Sequence, residues 1–218
     1  MTRPVLHHVA AARSFRVLWM LCELGEEPEV RHYAIPDGSL RQPDFLDRWP
    51  AGRVPALEID GRVLFESGAI LEYLAETRGR LGRAPGDPER ANYLQWMHFA
   101  ETQAVHLQML NLSHVFLRDP AQRSPTIQKL EAKRLEVTLR VTERALQERD
   151  WLLPGGFSAA DMMQGFNLLA APRYVRFDAF PALQSYVARF EGREGYRRAR
   201  ALDGVQQFYD RDFYEWDR

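Results

Sequence analysis

The chain has 218 residues, 45% of them hydrophobic, and its 29 basic residues nearly balance 30 acidic ones. This length allows one or two domains with a large core. The formal net charge of -1 gives no electrostatic footprint for nucleic acid or an anionic membrane. No apolar run approaches the roughly 20 residues of a membrane span, and none of signal-peptide type follows Arg3. A single cysteine, Cys22, excludes an internal disulfide framework, so we expect a cytoplasmic location.

The sequence up to Ile35 predicts a strand, a helix and a second strand. Val5–Val9 is predicted as the first strand. Ser14 is predicted as the N-cap of a helix over Phe15–Leu24, which a glycine ends. This helix is apolar on almost every side, so we expect it to be buried, with Cys22 as core filling. A strand over Glu29–Ile35 completes a parallel βαβ unit, which is expected to be right-handed.

The stretch Arg53–Ile70, RVPALEIDGRVLFESGAI, predicts strand, turn, strand and the start of a helix. Asp60–Gly61 is a strong hairpin signal. Pro55 cannot donate to a sheet ladder, which suits the first residue of a strand. If the Val54–Pro55 bond is cis, the main chain of Val54 is left to pair with an extended peptide ligand. A plain strand boundary is the alternative interpretation.

Glu66 and Ser67 stand at the start of the predicted helix, which runs to about Thr77. Free N–H groups and the positive end of the helix dipole favour an anion there. Ser67 can form a hydrogen bond and Glu66 can hold an ammonium group. The pair therefore fits a small zwitterionic peptide, although a serine at this position also serves as a simple N-cap.

Beyond Arg80–Pro88, which contains two prolines and two glycines, strand signals nearly vanish and helical patterns dominate. One long helix is predicted to follow this segment as far as about Phe116, and another to follow Ser124–Pro125. Ser158 and Asp161 have the spacing of a capping box before an apolar helix, and we interpret both as structural. A further helical stretch rich in arginine is predicted near the end of the chain.

One signature combines VPAL, an Asp-Gly hairpin and ESGAI in that order. It resembles the glutathione-site signature of the cytosolic glutathione S-transferase family. Within that family, the chain looks most like bacterial members with a serine-type first loop. The resemblance covers essentially the whole chain and includes the capping box. It implies an α/β plus all-α fold: a thioredoxin-like βαβ-ββα domain over residues 1–80, a linker over 81–88 and an all-helical domain over 89–218. It also implies a homodimer that uses glutathione as co-substrate in detoxification.

The resemblance implies a role for each residue of the signature. The main chain of Val54 pairs with the cysteinyl part of glutathione, behind the structural residue Pro55. Glu66 and Ser67 hold the γ-glutamyl end, and Arg53 is a candidate for the glycyl carboxylate. The thiolate then attacks an electrophilic carbon of a small apolar substrate held between the domains. Candidate wall residues for that substrate are Tyr93, Met97, His106 and Met109.

The chain departs from the family at the residue that activates the thiol. Members of the family donate a Tyr or Ser hydroxyl to the thiolate from the segment between the first strand and the first helix. Here Ala11 or Ala12 occupies the usual serine position. Ser14 is the nearest hydroxyl, with the helix N-cap as its alternative role. Arg13 is the other catalytic candidate, because a guanidinium near sulfur favours the charged thiolate.

Three other functions stay open: a glutathione-dependent peroxidase or disulfide reductase, a non-catalytic binder of glutathione or apolar ligands, and a structural or interaction module. The alanines at the serine position favour a binder, whereas the Glu66–Ser67 pair argues against a pure scaffold. No nucleic-acid or membrane partner is expected. The six histidines lack metal-ligand spacing, so no metal is expected, and His7 and His8 are interpreted as structural.

Overall fold

The computed structural model describes residues 3–35 and 37–216. By contacts it divides into two compact units. The first consists of the described parts of Met1–Ala84 together with Glu191–Gln207, and the second of Pro85–Phe190 together with the described part of Phe208–Arg218. The domain limits expected from the sequence, residues 1–80 and 89–218 with a linker between them, stay predictions. In the structure, the contacts of residues 191–207 group this segment with the amino-terminal part of the chain.

The first unit is a four-stranded mixed sheet with helices. Its elements, numbered in chain order, are β1 (Val5–His8), α1 (Ser14–Leu24), β2 (Glu29–His32), α2 (Pro43–Leu46), β3 (Ala56–Ile59), β4 (Arg62–Phe65), α3 (Ser67–Arg78) and, from late in the chain, α8 (Glu194–Asp203). The strand order is β2-β1-β3-β4. β1 and β2 are parallel, whereas β3 is antiparallel to both of its neighbours. This confirms the predicted thioredoxin-like arrangement.

The hairpin between β3 and β4 forms where the sequence predicts it. Asp60 has φ 51° and Gly61 has φ 72°. Two consecutive residues with positive φ are what a type I′ turn requires, and this turn matches the twist of the flanking strands. Ile59 pairs with Arg62 across the turn, so the register is set at the first pair.

α1 lies at the centre of the first unit. It contacts β1, α3 and α8, which explains why its residues are apolar on almost every side. The approach of α8 depends on Gly195, because a Cβ atom there would lie 2.5 Å from Cδ of Glu23. Glu23 also forms a two-point ion pair with Arg193, at 2.8 Å for each contact. The chain therefore brings a late helix against an early one.

Three boundaries in the first unit differ from the sequence prediction. β1 ends at His8 and β2 at His32, each earlier than expected. α1 begins at Ser14 itself, and its N-cap residue is Arg13, so the prediction of Ser14 as N-cap is wrong. The reason is that the Ser14 hydroxyl turns back to the main chain of Val9 instead of capping the helix.

The second unit is entirely helical in its described part, and it completes the predicted α/β plus all-α architecture. Its main helices are α4 (Arg90–Asn111), α5 (Pro125–Leu146), α6 (Ala159–Ala170) and α7 (Pro181–Glu191). α4 packs against both α5 and α6. α4 ends before the predicted Phe116, and the residues Leu112–Phe116 form a π-helical turn. None of the described helices combines the length and the apolar character needed to cross a membrane.

The capping box at the start of α6 is present and extends into a buried network. Asp161 Oδ2 accepts a hydrogen bond from the Ser158 N–H at 2.8 Å. Its Oδ1 accepts from the Leu152 N–H at 3.0 Å and from the Tyr186 hydroxyl at 2.8 Å. Asp161 is fully buried. Its carboxylate therefore joins the helix start to a preceding loop and to α7.

This network predicts a large stability effect. We expect Asp161→Ala to lower the free energy of unfolding by about 3 kcal/mol or more, because two buried N–H groups lose their acceptor at roughly 1–3 kcal/mol each. Ser124→Ala is the control, since Ser124 caps α5 at an exposed site, where the loss is about 1 kcal/mol. Urea unfolding measures both. Equal losses in the two variants would contradict the network.

Candidate active site

Three chain segments meet at one end of the sheet because of the strand register. Ala56 is the first residue of β3, and it pairs with His7 on one side and Phe65 on the other. The segment before β3 therefore lies beside the segments that follow β1 and β4. These three segments contain all the residues that the sequence analysis assigns to peptide binding and to thiol activation.

The segment before β3 contains Arg53 and Val54. The Val54–Pro55 bond is cis. Within the described residues, the main chain of Val54 has no hydrogen-bond partner, because the ladder of β3 begins at Ala56. Arg53 is exposed. The groups expected to meet the cysteinyl and glycyl parts of a peptide are thus accessible at the entrance of the strand.

The segment after β4 contains Glu66 and Ser67. Glu66 is the N-cap residue of α3 and has φ 71° and ψ 111°, a conformation that residues with a side chain rarely adopt. Such strained residues cluster at ligand-binding sites. The Glu66 side chain is exposed, whereas Ser67 is buried at the first position of α3. The pair therefore offers an acidic group and a hydroxyl at a helix N-terminus.

Arg16 is the residue of this site that the sequence analysis missed. It lies on α1 and is fully buried, and its Nη1 donates to Ser67 Oγ at 3.1 Å. Because Ser67 Oγ accepts this bond, its own hydrogen can be donated to a ligand oxygen. A buried guanidinium behind a helix N-terminus adds positive charge to a place that already favours an anion. An arginine inside an otherwise apolar helix was the available signal.

The segment after β1 forms the loop from Val9 to the start of α1. Ala11 has φ 57°, a second strained position in the site. The Ala12 N–H donates to Val9 O at 3.1 Å. Ser14 is fully buried, and its hydroxyl donates to Val9 O and accepts from Val9 N, each at 3.2 Å. A hydroxyl has one hydrogen. Ser14 donates that hydrogen to Val9 O, which holds the loop in place, so the hydrogen is not available to a thiolate.

Arg13 differs from Ser14 in its surroundings. It is the N-cap residue of α1 and is half-buried. A cation at this place adds to the positive end of the α1 dipole. Arg13 therefore stays a candidate because of the positive charge that it carries at the amino end of α1.

The remaining residues named from the sequence lie in structural surroundings. His7 is buried between the Tyr33 hydroxyl, at 2.8 Å from Nδ1, and Glu58, at 3.0 Å from Nε2. Burial lowers the pKa of His7 despite that carboxylate. Cys22 is buried in α1, and burial raises the pKa of its thiol to about 11. Within the described residues, no group of three or more His, Cys, Asp or Glu side chains is placed to hold a metal ion.

The four candidate wall residues lie in the second unit. Tyr93 and Met97 belong to its core, and His106 Nδ1 lies 2.7 Å from Glu131 Oε2. Met109 is exposed. Of these four, Met109 is therefore the one that presents an apolar side chain to the surface of the unit.

Comparison with known proteins decides the family. A profile of the glutathione S-transferase N-terminal domain matches residues 1–76. The chain is 30% identical over 181 residues to glutathione S-transferase 3 of Schizosaccharomyces pombe, with 78% of this chain and 74% of the relative covered. A glutathione S-transferase-like protein of a Fusarium species is 33% identical over 190 residues, covering 81% and 83% of the two chains. This chain belongs to the glutathione S-transferase family.

Solved structures of glutathione S-transferases share the fold. The glutathione S-transferase of Xylella fastidiosa is 25% identical to this chain, with a TM-score of 0.81. The match covers 94% of this chain and 100% of that structure. A glutathione transferase of Pseudomonas putida, solved with one glutathione disulfide bound per subunit, has a TM-score of 0.82 at 24% identity, with 93% and 92% covered. The prediction of a glutathione S-transferase-like enzyme is confirmed.

The burial of the Cys22 thiol can be tested directly. With a pKa of about 11, roughly one Cys22 thiol in ten thousand is ionised at neutral pH. We expect iodoacetamide to leave Cys22 unmodified in the folded protein and to alkylate it after unfolding in urea, as intact mass measures. Free glutathione in the same reaction is the control. Rapid alkylation of the folded protein would contradict the burial.

Proposed function

We propose that this protein binds glutathione at the end of its sheet where β3 begins, and that it transfers the thiolate to a small apolar electrophile. The observation that carries the proposal is the convergence, within the first unit, of the Val54 main chain, Glu66 and Ser67, with the buried Arg16 guanidinium behind Ser67. Each group matches one end or the middle of a zwitterionic tripeptide.

The γ-glutamyl end of glutathione carries a carboxylate and an ammonium group on one carbon. In the proposed complex the carboxylate lies at the N-terminus of α3, where Ser67 donates its hydroxyl hydrogen and Arg16 polarises that hydroxyl. The exposed carboxylate of Glu66 accepts the ammonium group. Opposite charges on one carbon are thus matched by two adjacent residues.

The rest of the peptide extends along the entrance of β3. The cysteinyl part pairs with the main chain of Val54, which adds a short strand at a point where the ladder has ended. Arg53 is the proposed partner of the glycyl carboxylate, because a guanidinium matches the planar geometry of a carboxylate. This placement directs the cysteinyl sulfur toward the β1–α1 loop.

Thiol activation is assigned to Arg13 and the amino end of α1. A free thiol has a pKa of about 8.5, so only a few per cent is ionised at neutral pH. The positive charge of Arg13 and the helix dipole both favour the thiolate. The Ser14 hydroxyl is engaged with Val9, which supports a structural role for it in the loop.

The electrophile is proposed to be small and apolar. We further propose a homodimeric, cytoplasmic enzyme of detoxification. The homodimer rests on the family resemblance, and the location on the single cysteine in the sequence.

A second candidate function is a glutathione-binding protein without turnover. The specific observation in its favour is that neither Ala11, Ala12 nor the engaged Ser14 offers a side-chain hydrogen to sulfur. The two candidates share the peptide site and differ in the ionisation of the bound thiol.

The peptide site predicts a loss of affinity on substitution. We expect Glu66→Gln and Ser67→Ala each to weaken glutathione binding by about tenfold or more, because a hydrogen bond to a charged group contributes roughly 1.5–3 kcal/mol. Glu72→Gln, a substitution of the same kind on α3, is the control and should bind normally. Isothermal titration calorimetry measures all three. Wild-type affinity in both site variants would remove this site.

Thiol activation predicts a difference between two neighbouring residues. We expect Arg13→Gln to raise the pKa of the bound glutathione thiol by about one unit or more, since a nearby opposite charge shifts a pKa by roughly 1–3 units. Ser14→Ala should leave that pKa nearly unchanged and lower stability instead. Ultraviolet absorbance of the thiolate against pH measures the pKa. A bound thiol with the pKa of free glutathione in the wild type would favour the binder.

A further inference from the structure

A buried carboxylate on α8 reaches the loop at which thiol activation is expected. Asp203, the last residue of α8, is 1% exposed, and its Oδ1 accepts a hydrogen bond from the Ala11 N–H at 3.1 Å. The two residues are 192 positions apart in the sequence. Ala11 or Ala12 is where the family places its serine, so the contact falls on the loop that faces the sulfur in the proposed complex.

The same carboxylate is held by two further partners. His8 Nε2 lies 3.1 Å from Asp203 Oδ1 and 3.0 Å from the Asp203 carbonyl oxygen, and both atoms are acceptors, so Nε2 donates. Arg200 Nη1 donates to Oδ2. His8 is fully buried. Asp203 thus joins β1, the loop after it and α8 through donors from each of these three segments. Such hydrogen bonds are what a buried charge requires.

The conformation of Ala11 is what this contact supports. A φ of 57° places Ala11 in the left-handed region, which costs a residue with a Cβ atom roughly 1–2 kcal/mol. Such a conformation persists where the surroundings impose it. The Ala11 N–H bond to Asp203 and the Ala12 N–H bond to Val9 hold this part of the loop, together with the Ser14 hydroxyl on Val9.

The amides of Ala11 and Ala12 are therefore already used and are unavailable to a sulfur atom. We propose that Asp203 is a positioning residue for thiol activation: its buried carboxylate holds the β1–α1 loop so that Arg13 and the amino end of α1 face the sulfur of bound glutathione. This inference rests on the proposed function. Asp203 acts through the loop and does not touch the peptide.

The test compares substitutions at Asp203 with a matched control on the same helix. Asp203→Ala removes the acceptor of the Ala11 N–H, whereas Asp203→Asn retains an oxygen at Oδ1 and loses the charge. Glu194→Gln is the control, because Glu194 is an exposed acid in the first turn of α8, away from the loop. For each full-length protein we would measure glutathione affinity by calorimetry, the pKa of the bound thiol, and kcat with an activated aryl chloride.

A positioning role predicts a split between binding and activation. In Asp203→Ala we expect the pKa of the bound thiol to rise toward that of free glutathione and kcat at neutral pH to fall about tenfold or more, as one pKa unit implies. Glutathione affinity should change less than about threefold, because Val54, Glu66 and Ser67 are untouched. Asp203→Asn should lie between wild type and Asp203→Ala, and the control should match wild type.

A second variant separates loop positioning from general stability. Glycine adopts positive φ without the steric cost of a Cβ atom, so Ala11→Gly should restore part of the lost kcat in the Asp203→Ala background. A merely structural role for Asp203 would not be relieved by a glycine in the loop. If Asp203→Ala does not fold, the same comparison of kcat is made between Asp203→Asn alone and Asp203→Asn combined with Ala11→Gly.

The outcomes distinguish this inference from the function it rests on. A wild-type protein that binds no glutathione overturns the proposed function. A wild-type protein that binds and ionises glutathione, with folded Asp203 variants that do so equally well, overturns only the role of Asp203. A parallel loss of affinity and kcat in the Asp203 variants, without rescue by Ala11→Gly, also overturns it. The split of activation from binding, with rescue, supports it.

Discussion

The antiparallel pairing of β3 with both of its neighbours decides where the proposed ligand-binding groups of this protein lie. β1 and β4 leave the sheet at the end where β3 enters it, because Ala56 pairs with His7 and with Phe65. A shift of register by one residue would turn every side chain of the strand to the other face. The position of the proposed peptide site is therefore a consequence of strand pairing, and the loops add side chains to a geometry that the sheet already sets.

At that end of the sheet, α1 lies near both the proposed thiol-activation site and the proposed γ-glutamyl site. Its amino end lies next to the loop that faces the proposed thiol, and Arg16, the third residue of the helix, donates a hydrogen bond to Ser67. A buried guanidinium is costly to desolvate and is retained where it has hydrogen-bonding partners. In this protein one partner is Ser67, which is proposed to bind the substrate, so in the proposed complex the helix supports binding from within the core.

The carboxyl-terminal helix of the first unit stabilises the other side of α1. Gly195 allows the backbone of α8 to approach Glu23, and Asp203 at the opposite end of α8 holds His8 and Ala11. One helix of 10 residues thus spans from the end of α1 to the loop before it. The positive φ values at Ala11 and Glu66 lie in the segments that follow β1 and β4, on either side of the proposed site, and Ala11 is held by its bond to Asp203.

The sequence by itself determined the features that depend on residues close together in the chain. The Asp60–Gly61 turn, the capping box of Ser158 and Asp161, and the helix start at Ser67 all follow from local backbone and hydrogen-bond chemistry. For the same reason the signature around Val54 and Glu66 could be recognised before any coordinates. These features made the family and most of the candidate peptide site predictable.

Only the tertiary structure decided the contacts between distant segments. Arg16 donates to Ser67, 51 positions away, and the Ala11 N–H donates to Asp203, 192 positions away, and no local pattern encodes either choice. Ser14 has the sequence features of an N-cap, but the turn of the loop placed Val9 within reach of its hydroxyl, and that contact removed it from the helix end. Which polar groups remain available for chemistry depends on which ones packing has already satisfied, and packing is a property of the whole fold.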